Sequence, residues 1–130
     1  MNEATEEFFR QWLIKAQENW DVARVLADRE NPPASIACFH CQQCVEKLLK
    51  AVLIREQVEF PKTHDLGRLI ELVGKWVPEL TELSASAKQL TIHGVETRYP
   101  DDARIVDDAE MREVIEIADK LRNLILRRIQ

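Results

Sequence analysis

Apolar residues in this chain recur three and four positions apart, and only 3 glycines and 5 prolines punctuate its 130 residues. That spacing is the period of one helix face, whereas a half-buried strand alternates at every second residue. No segment sustains a period of two. The chain is therefore predicted to be all-α, built from long antiparallel helices joined by short loops. With 45% hydrophobic and 32% charged residues, 130 residues form one domain able to bury a real core without disulfides or metal.

The first helix is expected from about Ala4 to Asp28, with Phe9, Trp12, Leu13, Ala16, Trp20, Ala23 and Ala27 on one stripe. Asn31-Pro32-Pro33 stops it, because a residue before proline avoids the helical region. The second helix runs from Ala34 or Ser35 to Glu56. The third starts at Thr63 or His64, with Thr63 as N-cap and Asp65 in the first turn, and reaches Lys75. Its inner face is Leu66, Leu69, Ile70 and Val73. The fourth begins near Pro78 and carries Leu80, Leu83, Ala87 and Leu90, with Gly94 as its stop. After a polar loop the fifth runs from Asp107 or Asp108 almost to Gln130. Its stripe is Met111, Val114, Ile115, Ala118, Leu121 and Ile125.

A formal net charge of −5 argues against unspecific nucleic-acid binding, which depends on basic surface to displace counterions. Apolar runs are too short for a membrane span. The acidic start MNEATEEFFR lacks the basic-then-apolar order of a signal peptide. A cytoplasmic setting follows, and there three cysteines stay reduced.

Those cysteines lie in CFHCQQCVEKLLKA, residues 38–51, which resembles a metal site at first sight. On a helical wheel, Ala34, Ala37, Cys38, Cys41, Cys44, Val45, Leu48 and Val52 share one face. Cys38, Cys41 and Cys44 span about 9 Å of axis and fan over about 120°, so all three hardly reach one ion. His40 points elsewhere, and no second ligand pair completes a tetrahedron. The thiols are predicted to be core filler, with no metal and no cofactor. A second stripe on the same helix mixes Phe39, Gln42, Glu46, Leu49, Lys50 and Leu53. Glu46 and Lys50 stand i, i+4 in the favourable order, the spacing of a solvated ion pair or of a functional face. Ile36, Phe39, Leu53 and Ile54 lie off the main stripe and offer apolar surface for a dimer or a partner. Trp12, Trp20 and Trp76 are expected in the core or lining a groove.

FHCQQCVEKLLKA, KTHDLGRLIEL and ETRYPDD occur in that order. Together with the Ala118-x-x-Leu121 helix, they resemble the corresponding helix, turn and loop of the HEPN domain family (higher eukaryotes and prokaryotes nucleotide-binding). The resemblance covers nearly the whole chain. It implies a four- or five-helix up-and-down bundle and frequent homodimerisation. It also implies a minimal nucleotidyltransferase partner in a toxin–antitoxin-like module, and in some members a metal-independent RNase activity.

That RNase activity goes with an Arg-x(4–6)-His motif, in which arginine stabilises the phosphorane charge and histidine moves the proton. Upstream of His40, His64 and His93 the required positions hold Pro-Ala-Ser, Gln-Val-Glu and Ser-Ala-Lys. No arginine is there, and Lys88 lacks the guanidinium fork. No catalytic residue is therefore assigned. The alternatives are an RNA-cleaving toxin with a diverged site, using His64, His93 or Arg98, and a purely structural interaction module.

The resemblance to nucleotide-binding HEPN proteins leaves a candidate ligand pocket of Gln42, Glu46, Lys50, His64, Asp65, Arg98 and Tyr99. A helix N-terminus offers N–H groups to phosphate, Arg98 grips it, and Tyr99 stacks on a base. Each has a structural alternative. Asp65 can be a helix-start residue, His64 can bond locally, and Tyr99-Pro100-Asp101 is turn chemistry. Arg98 can pair with Glu46 or Asp65 to lock the loop to the bundle.

Overall fold

The computed structural model describes residues 1–94 and 105–129. It is an all-α bundle with α1 at Glu3–Ala27, α2 at Ala34–Arg55, α3 at Leu66–Val73, α4 at Ser84–Thr91 and α5 at Asp108–Ile129. No strand occurs among the described residues. Helix α2 packs against each of the other four helices, which explains its two usable faces. Its main stripe forms the core with the inner faces of α3 and α5, every expected residue of which is buried. The thiols of Cys38, Cys41 and Cys44 are buried within it. Small side chains, Ala37, Cys41, Cys44 and Ala51 on α2 with Ala16 and Ala23 on α1, are all buried and let α1 and α2 approach closely.

The helix ends are set by local side chains. Asn2 caps α1, accepting the Thr5 N–H at 2.8 Å. Asp107 accepts the Glu110 N–H at 2.8 Å and starts α5. At the end of α2 the N–H groups of Gln57 and Val58 bond to the carbonyls of Ile54 and Leu53. This is a paired C-terminal cap that puts Gln57 in the left-handed region at φ 57°.

Three expectations need correction. Helix α3 starts at Leu66, not at Thr63 or His64, because Asp65 is the N-cap: its carboxylate accepts the N–H groups of Gly67 and Arg68. Thr63 instead accepts the Asp65 N–H at 3.1 Å. The expected fourth helix is two pieces, a 3-10 turn at Pro78–Leu83 and then α4. Gly94 is not a left-handed stop, since no described glycine has positive φ. Its lack of a side chain matters because a Cβ there would lie 3.0 Å from the Gln42 amide carbon.

The expected partner patch on α2 is also largely internal. Leu53 is fully buried, Ile54 is 8% exposed, and Phe39 is half-buried. Of the four residues only Ile36 remains exposed, because α2 is surrounded. The tryptophans are half-buried. Trp12 stands edge-on to Phe8 and Phe60, and Arg24 and Arg122 lie over Trp20.

Candidate functional site

Gln42, Glu46 and Lys50 lie one helical turn apart on the flank of α2, so their heads form a ladder along it. All three are buried. The Glu46–Lys50 pair is therefore not the solvated surface pair the spacing allowed. Glu46 is the hub. Its Oε1 accepts Gln42 Nε2–H at 3.1 Å and faces His64 Nδ1 at 2.8 Å, and its Oε2 accepts Lys50 Nζ–H at 3.1 Å. Gln42 also donates to the His64 carbonyl at 3.2 Å. Lys50 completes its surroundings with the ring faces of Trp12 and Phe60, at 5.9 and 5.6 Å from their centroids.

Burial by itself would push the Glu46 carboxyl up. Hydrogen bonds from Gln42, His64 and Lys50, and the Lys50 charge, outweigh it and hold the group below its ordinary value. Glu46 is thus a carboxylate at neutral pH and can only accept. His64 Nδ1 must then be the donor, which leaves Nε2 as the working edge of the ring. The His64 side chain is 66% exposed, and Nε2 meets no partner among the described residues. A buried carboxylate orienting an exposed imidazole is an arrangement that can exchange a proton or bind an anionic oxygen.

Four of the seven candidate residues are therefore brought together, Gln42, Glu46, Lys50 and His64. Only His64 presents atoms freely to solvent; the other three support it. Asp65 is adjacent in sequence, but its carboxylate is spent on capping α3. The α3 N-terminus is not open to phosphate either. The N–H groups of Asp65, Leu66, Gly67 and Arg68 go to Thr63, Thr91 and, for the last two, Asp65. Arg98 and Tyr99, with the rest of the RYPD loop, lie outside the described residues.

Two polar groupings were missed in the sequence. His93 is buried at the end of α4 with Nε2 3.4 Å from Glu110 of α5. The following residue, Gly94, touches Gln42, so this pair adjoins the ladder. On the opposite flank of α2, buried Asn19 of α1 accepts Lys47 Nζ–H at 2.6 Å and meets His40 Nδ1 at 2.9 Å. Burial pulls the Lys47 ammonium down from its ordinary value. Asn19 was detectable as a polar residue within the buried face of α1. The His93–Glu110 pair had no local signal, since its partners are far apart in the chain. Among the described residues, no group of three His, Cys, Asp or Glu side chains could hold a metal ion.

A model of the HEPN domain matches residues 9–129 of the chain. The Methanocaldococcus jannaschii protein named "Putative toxin MJ1304" is 31% identical over 101 residues, 73% of this chain and 65% of that protein. The chain thus matches somewhat less than two thirds of that relative's length. The crystal structure of TT1696 from Thermus thermophilus shares the fold at a TM-score of 0.75 and 27% identity, over 92% of this chain and 97% of that one.

Proposed function

The chain belongs to the HEPN domain family, and from that membership we propose that it is the non-catalytic HEPN component of a cytoplasmic toxin–antitoxin-like module. In this reading it binds a nucleotide and pairs with a minimal nucleotidyltransferase. The observation that carries the ligand half is the Glu46-centred ladder. It fixes His64 at the surface with one ring nitrogen turned outward, where a protonated imidazole meets a phosphate oxygen. The absent Arg-x(4–6)-His pair and the net charge of −5 support a binding role over RNA cleavage. No helix among the described residues is long and apolar enough to cross a membrane.

Calorimetry with ATP and a pull-down with a minimal nucleotidyltransferase from the same genome test the reading. Micromolar ATP binding that weakens at least about tenfold in His64→Ala is the expected result, one phosphate contact being worth about 1.4 kcal/mol or more. No binding of either partner at micromolar concentration contradicts it.

One observation favours a second reading, an RNA-cleaving toxin: the exposed His64 is oriented by a buried carboxylate, as a general acid or base is. Growth arrest on expression that is abolished in His64→Ala supports that reading, and harmless expression of the wild type removes it.

A further inference from the structure

A cleft of about 340 Å³ lies where α1 meets α2, lined by Gln11, Trp12, Lys15 and Lys47. A volume of that order takes a small molecule. Two lysines meet at it, in a chain whose net charge is −5, and they are held differently. Lys15 is exposed, with Glu18 3.8 Å away, so its charge is available to an incoming anion. Lys47 is half-buried, and its Nζ donates to the neutral amide oxygen of Asn19 at 2.6 Å. An ammonium only donates, so Asn19 turns its oxygen to Lys47 and its NH₂ to His40 Nδ1, 2.9 Å away. Asn19 is buried and fixed from both sides, and it holds the Lys47 amine in place beside the cleft. Lys50, by contrast, is neutralised by the Glu46 carboxylate.

We propose that Lys47 is a nucleophilic amine and that the cleft admits a small acyl phosphate, which makes Lys47 a site of acylation. Lys15 attracts the phosphate of the donor, and Trp12 gives the acyl group an apolar wall, so the carbonyl carbon is brought to the amine. The ammonium first gives one proton to water. Neutral Nζ then attacks the carbonyl carbon. The N–C bond forms, the bond from that carbon to the phosphate oxygen breaks, and phosphate leaves with the electron pair. One Nζ proton passes to the departing phosphate. The N–H left on the new amide still donates to Asn19, so the product keeps the bond that placed the amine. Burial pulls the Lys47 ammonium down from its ordinary value, and the Lys15 charge acts the same way against Glu46 and Glu18. A desolvated lysine beside a second cation carries more neutral amine than a solvated one.

Acetyl phosphate added to the full chain at about pH 8, with acetylation followed at each lysine by peptide mass spectrometry, tests this. No nucleotide is present, so the outcome is separate from that of nucleotide binding. Lys47 is expected to be acetylated at least about fivefold faster than Lys120, although the Lys120 side chain is 66% exposed. Lys15→Gln is expected to slow Lys47 more with acetyl phosphate than with N-acetoxysuccinimide, which has no phosphate for Lys15 to hold. Lys15 is exposed, so an unchanged melting curve confirms that the variant is folded. Lys47 reacting no faster than Lys120, or a Lys15→Gln variant slowed equally with both reagents, would overturn the proposal.

Discussion

Glu46 is the residue on which most of the polar interior depends. It neutralises buried Lys50 and orients His64. Glu46→Gln leaves the ammonium without a counter-charge and is expected to cost about 3 kcal/mol in denaturant unfolding. That is the low end for a broken buried pair, because Lys50, 7% exposed, can relax toward the surface. The pH dependence has a definite sign. A carboxyl held below its ordinary 4.5 makes its full contribution above that value and loses it as pH falls through the lower folded value. Melting temperatures recorded from about pH 6 to pH 3 should therefore fall more steeply for the wild type than for Glu46→Gln. Parallel curves would show that the carboxyl is not stabilised by its neighbours. The three thiols behave differently. Burial pushes Cys44 up to about 12 and Cys41 higher still, so neither supplies thiolate at neutral pH. A thiol reagent at pH 8 should label the native protein negligibly and take up three equivalents only on unfolding. Prompt labelling of the folded form would place the sulfurs at the surface.

At the scale of the element, helix ends were less legible in sequence than helix faces. The buried stripes of α3 and α5 are the ones that 3.6-residue periodicity marks out, because a face must be apolar along its whole length to be buried. A boundary turns on a single competition. Thr63 and Asp65 both qualify as caps by residue type, and the carboxylate wins because it reaches two N–H groups where the hydroxyl reaches one. The paired cap ending α2 was invisible in sequence for a similar reason, since Gln57 occupies the place where glycine is usual. A side chain at φ 57° carries a strain that glycine does not. Gln57→Gly is thus expected to stabilise the protein by roughly 0.5–1 kcal/mol after the unfolded-chain entropy is subtracted. Destabilisation in thermal melting would show that the glutamine side chain has a role of its own.

For the whole molecule, the sequence pattern conveys the architecture but not which groups are enclosed. Helix α2 has apolar and polar residues around most of its circumference, and only the packing of four helices on it decides that Leu53 and Ile54 are interior while Ile36 is not. The same enclosure turns a surface-like Glu-Lys spacing into a buried hub. The i, i+4 ladder of Gln42, Glu46 and Lys50 was visible in sequence, and its junction with His64 rested on family resemblance. The closure by Gly94 and His93 was not visible, because it joins the far end of α4 to the flank of α2. The central claim is that these distant pieces converge to present His64 to a ligand. Titrating ATP into ¹⁵N-labelled protein tests it most directly. The largest shifts are expected at the amides of residues 63–68 and at the Gln42 side-chain amide. Shifts confined to α1 and α5, or none at millimolar nucleotide, would contradict it.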